Sequence, residues 1–79
     1  MKVWRRVEPV PGNAIVPDHK RVTEVDEDGC YYSRHVLPDG RVYSENITTV
    51  FAMGWNSVSE FVRQKSGFKL VDETEERSE

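Results

Sequence analysis

A single cysteine, Cys30, stands among the 79 residues, so no disulfide can close within the chain. Histidine is nearly as scarce: His19 and His35 are the only two, and with one cysteine they fall short of the close-spaced ligand set of a zinc site. Apolar runs are short, and none approaches the roughly 20 residues that span a bilayer. The opening Met1-Lys2-Val3-Trp4-Arg5-Arg6 is charged at once, unlike a secretory leader. These absences place the expected chain in the cytoplasm, away from membranes and without a disulfide scaffold.

Glycine-rich runs are missing too. Neither Gly12 nor Gly67 opens a phosphate loop, and there is no Gly-x-Ser-x-Gly elbow. Cys30 and His35 lie five residues apart on one predicted strand and point to opposite faces, so they do not make a nucleophile and base. The cluster Asp26-Glu27-Asp28-Gly29 lacks the remaining ligands of a calcium loop and reads as a solvated turn. Asn46-Ile47-Thr48 fits the glycosylation acceptor pattern, but with no export signal it reads as a chance match. No catalytic constellation, cofactor site or metal site is expected, and the chain reads as a non-enzyme.

A strong basic excess is also absent. The net charge is −3, and it is uneven: residues 1–71 hold nine acids and ten bases, residues 72–79 five acids and one base. The near-neutral body is the expected folded domain, 1–71. The acidic segment 72–79, with nothing apolar to bury, is expected to be a disordered tail.

What the chain does have is rings. Two tryptophans, three tyrosines and three phenylalanines serve a body small enough that its core must be thin. Residues 2–8 alternate as a strand with Val3 and Val7 on one side and Trp4 and Arg6 on the other. Prolines 9, 11 and 17 then mark a loop, with Ala14-Ile15-Val16 as an apolar clip beneath it. A second strand is expected from Lys20 to Asp26, followed by a Glu27-Asp28-Gly29 turn.

The best-marked element is a hairpin, Cys30–Leu37 returning over 41–51 around Pro38-Asp39-Gly40. Two registers are open. A three-residue loop, which the proline favours, sets His35 opposite Tyr43 and Tyr31 opposite Ile47. A two-residue Asp39-Gly40 turn sets Val36 opposite Tyr43 and Arg34 opposite Glu45. The choice exchanges the faces.

Next, Ser57 and Glu60 have capping-box spacing at the start of a helix over Val58–Lys65, whose Val58, Phe61 and Val62 form one apolar stripe. Gly67 ends it, Phe68 folds back near Val62, and 68–71 supplies a last short strand. The fold expected is α+β: a small antiparallel β-meander of three to five strands, with one short C-terminal helix packed on one face.

The hairpin carries more ring surface than so small a body can bury. That excess points to a contact surface containing Tyr31, Tyr32, Arg34, His35 and Tyr43, since tyrosine and arginine are the residues that enrich interfaces. The expected function is protein binding or self-association, with a homodimer as the expected form and an accessory or inhibitor protein as the class. The alternative is a β-sheet module that stacks single-stranded nucleic acid on Trp4, Tyr31, Tyr32 and Tyr43 between arginines, with the acidic tail competing for the surface. The near-neutral body argues against that alternative.

Overall fold

Strand alternation and turn chemistry set the elements, and a computed structural model describes residues 2–72. In chain order they are β1 (Val3–Val10), β2 (His19–Asp26), β3 (Cys30–Val36), β4 (Val42–Thr49), the helix α1 (Val58–Gln64) and β5 (Lys69–Asp72). All five strands join one antiparallel sheet in the order β4-β3-β2-β1-β5. The first four form a meander, and β5 returns from the helix to pair beside β1. The acidic run reaches β5 at Asp72; the rest of the expected tail, 73–79, lies outside the described residues.

Registers across the sheet sort the side chains into two faces. Trp4, Val25 and Tyr31 are cross-strand neighbours on one face, as are Arg6, Thr23 and Ser33 in the next row. Val25 and Thr23 are fully buried there, because α1 and the turn before it cover this end of the sheet. The opposite face carries Arg5, Glu24 and Tyr32, then Val7, Val22 and Arg34.

The core is small. Val25 from β2, Val50 from the turn after β4 and Phe61 from α1 form its centre, with Tyr31, Trp55, Val58, Val62 and Phe68 packed around them. Ser57 caps the helix by accepting the Glu60 backbone N–H at 3.3 Å. The Glu60 carboxylate pairs with Arg63, one turn on, at 3.8 Å. A helix of seven residues is too short to hold its own shape in water, so its docking through Phe61 is what makes it a helix.

Two sequence expectations need correction. β1 runs on through Pro9 and Val10, because β5 pairs only with Val3, Trp4 and Arg5. From Arg6 onward the outer side of β1 is an edge, where the proline's missing N–H has no ladder to interrupt. The clip Ala14-Ile15-Val16 does not pack under the loop: Ile15 is 90% exposed. Asn13 explains why, since its side-chain oxygen accepts the N–H groups of both Ile15 and Val16 and curls the segment outward.

Two buried side-chain atoms among the described residues lack a hydrogen-bond partner: Arg6 Nε, whose nearest carboxylate is Glu8 at 3.6 Å, and Thr23 Oγ1. Thr23 is 0% exposed and its Oγ1 makes no hydrogen bond among the described residues. A buried hydroxyl without a partner costs about 1–3 kcal/mol relative to an apolar group of the same shape. Thr23→Val is therefore expected to stabilise the protein by about 1 kcal/mol. Denaturant unfolding checks this as a raised midpoint at unchanged slope.

Candidate docking surface

Among the described residues, no element lies over the face away from the helix. Its centre is a charge ladder built by register. Glu24 on β2 lies between Arg5 of β1 and the β3 side chains, and accepts Arg5 Nε at 2.7 Å and Arg34 Nη1 at 3.4 Å. The Arg34 guanidinium lies 5.1 Å from the centre of the Tyr32 ring. Tyr32 in turn donates its hydroxyl to Glu45 on β4 at 2.7 Å. That hydrogen bond to a carboxylate raises the Tyr32 phenol above its ordinary pKa, so the ring stays a neutral donor.

Apolar side chains flank the ladder on the same face. Ile47, directly opposite Tyr32 across β3 and β4, is 66% exposed, and Val7 is 51% exposed. At one end an open cleft of about 620 Å³ is lined by Pro9, Lys20, Val22, Val36, Leu37 and Pro38. The result is an uncovered sheet face on which half-exposed aliphatic groups surround paired charges.

The five residues singled out from sequence do not share this face. Tyr32 and Arg34 are on it. Tyr31 points the other way, its ring edge-on to Phe61 at 6.0 Å, and so belongs to the core rim. His35 and Tyr43 sit at the uncovered end of the helix-bearing face, around His19. There His19 Nδ1 lies 3.0 Å from the Pro17 carbonyl and His19 Nε2 lies 3.0 Å from His35 Nδ1. A carbonyl only accepts, so in the neutral rings His19 donates from Nδ1 and His35 donates to His19. Tyr43 packs its edge against His19 at 5.9 Å.

Cys30 is exposed on the open face, across the sheet from His35. Among the described residues no three histidine, cysteine or acidic side chains are grouped to hold a metal, and no helix is long and apolar enough to cross a membrane.

The two edges of the sheet differ. One is blunted: β5 has four residues, and the remaining edge of β1 carries Pro9. The other is β4, where seven of eight residues are exposed and neither proline nor lysine occurs. Its outward backbone groups follow from alternation. The Val50 N–H bonds the Gly29 carbonyl at 2.9 Å, so even-numbered residues back to Ser44 face β3. Glu45, Ile47 and Thr49 then direct their N–H and C=O away from the sheet.

Glu24, Glu45, Ile47 and Val7 were not among the site residues expected from sequence. Only the register shows that they converge with Tyr32 and Arg34. The chain matches no protein-family model, no curated protein and no solved structure, so its surface geometry carries the functional reading.

Proposed function

We propose that the chain is a non-enzymatic interaction module that binds protein through its open sheet face and the β4 edge. The observation that carries this reading is the sheet's one-sided cover: α1 and its turn seal one end of one face, while among the described residues the other face and a whole edge strand are bare. An exposed strand edge offers unpaired backbone donors and acceptors in a row, which is how extended segments add to a sheet. Beside it, Tyr32, Arg34 and Ile47 supply the aromatic, guanidinium and aliphatic groups typical of the centre of an interface.

The charge pattern favours protein over nucleic acid. Arg5 and Arg34 share the single carboxylate of Glu24, Arg21 pairs with Glu8 at 2.6 Å and Arg41 with Asp39 at 2.7 Å. Binding a phosphate backbone would require breaking those pairs or adding cations to them.

A photoreactive amino acid placed at Val7 or Ile47, with a control at Gln64 on the helix, tests the reading in the native cell. Discrete protein adducts from positions 7 and 47, and none from 64, are expected. Adducts no more abundant at 7 and 47 than at 64 would overturn it.

A further inference from the structure

We propose that the partner at the β4 edge is a second copy of this chain, joined strand to strand about a twofold axis through Ile47. This rests on the reading of β4 as a docking edge and goes beyond it by fixing both occupant and register.

The length of free edge limits the choices. β4 is interrupted at one end by a bulge, where the register shifts between His35 and Val36 and Tyr43 is the extra residue, and at the other by the turn that begins at Val50. The edge available for pairing is therefore 44–49. In an antiparallel pair, residues that point their backbone outward must meet residues that do the same. Only Glu45, Ile47 and Thr49 do so, and the axis must fall where these coincide.

Chemistry then selects among the alternatives. An axis at Glu45 sets two carboxylates face to face. An axis at Asn46 sets Ile47 against Glu45 on both sides. Moving the axis to Thr48 or Thr49 leaves Glu45 opposite the turn and shortens the ladder. An axis at Ile47 pairs residues 45–49 and leaves only Ser44 beyond the ladder: Ile47 meets its own copy, Glu45 meets Thr49, and Asn46 meets Thr48. Thr49 is prepared for this role. Its Oγ1 already accepts the Ala52 N–H at 3.0 Å, which leaves the hydroxyl proton free to donate to the partner's carboxylate.

The same axis aligns the open faces. Paired residues of an antiparallel ladder share a face, so Tyr32 and Ile47 of both copies form one continuous apolar strip, with both helices on the other side. The two sheets become one sheet of ten strands, and its outer edges are the short β5 and the proline-bearing half of β1. The only long bare edge of the described residues is thereby closed.

Two measurements test this on the full chain. Sedimentation equilibrium over a concentration series is expected to show a monomer–dimer equilibrium, with Ile47→Lys weakening it about tenfold or more. Ile47→Lys should keep the far-ultraviolet circular dichroism of the parent, and its melting temperature when both are dilute enough to be monomers, because the side chain is exposed in the monomer.

Register is read by disulfide trapping in a Cys30→Ser background. Asn46 and Thr48 would form a non-hydrogen-bonded pair, with Cα atoms about 4.5 Å apart, near enough to bridge. Mixing Asn46→Cys with Thr48→Cys should give a heterodimer on oxidation, while either variant alone should not cross-link. A strict monomer, or a dimer indifferent to Ile47→Lys, overturns the inference and leaves the photo-cross-linking result at Val7 and Ile47 to judge the docking surface separately. A disulfide formed by Asn46→Cys alone, or by Thr48→Cys alone, overturns the register.

Discussion

Phe61→Ala is expected to abolish cooperative folding at room temperature. Only three hydrophobic side chains are fully buried among the described residues, and Phe61 is the largest of them. The rings of Trp55 at 5.4 Å, Phe68 at 5.7 Å and Tyr31 at 6.0 Å all meet it, from the turn, the segment before β5 and the sheet respectively. Truncating a buried phenylalanine to alanine costs about 3–5 kcal/mol. Small domains lie at the low end of a total stability of about 5–15 kcal/mol, so the loss is comparable to the whole.

The mechanism is also cooperative. Without Phe61 the seven-residue helix has no anchor, and with the helix goes the return of the chain that places β5 beside β1. Near-ultraviolet circular dichroism should lose its aromatic signal in Phe61→Ala and keep it in Phe61→Leu, which preserves most of the volume. A Phe61→Ala protein that melts at the parent temperature would show that the core lies elsewhere.

Much of this fold is legible in the sequence because each element is marked by its own chemistry. Ser57, the apolar stripe Val58-Phe61-Val62 and Gly67 give the helix to within one residue at its C-terminal end: Val58–Gln64 against an expected Val58–Lys65. The hairpin loop is likewise the three-residue Pro38-Asp39-Gly40, closed by the Leu37 N–H on the Arg41 carbonyl at 2.8 Å. Beyond the loop the pairing changes. The bulge at Tyr43 slips it by one, so that Arg34 lies opposite Glu45, as the shorter turn would have placed it. Both registers are present, one on each side of Tyr43. A bulge formed by ordinary residues leaves no mark in composition, so the face taken by Glu45 and Ile47 was not legible, whereas alternation along β3 alone separates Tyr31 and His35 from Tyr32 and Arg34.

The position of β5 was hidden for a related reason. Its pairing with β1 is a contact between the two ends of the described chain, and local patterns carry no information about which strand a returning segment joins. The uncovered β4 edge results from that pairing, because a strand that joined β4 instead would have left β1 bare. The candidate surface is therefore a product of topology, and its constituents, Tyr32, Arg34 and Ile47, are the parts that sequence could supply.

Gly29→Ala should be the second most damaging single change, for two separable reasons. Gly29 holds φ at +95° in the turn between β2 and β3, a conformation that costs an L-residue about 1–3 kcal/mol. It is also buried, and the Phe51 ring occupies the space where a Cβ would go, so the ring must move away from the turn. Gly40 provides the control: its φ is +94°, yet nothing lies within 4 Å of an added Cβ. Gly40→Ala should therefore show the backbone cost alone, and Gly29→Ala that cost plus the displaced ring, a further loss of about 1–3 kcal/mol by the usual scale for overpacking. Chemical denaturation of Gly29→Ala, Phe51→Ala and the double variant resolves the two parts. Once Phe51 is removed, the added methyl at position 29 should cost no more than the one at position 40. Equal losses at positions 29 and 40 in the parent background would mean that the ring yields freely, and that Phe51 is a cover on the turn rather than a part of its packing.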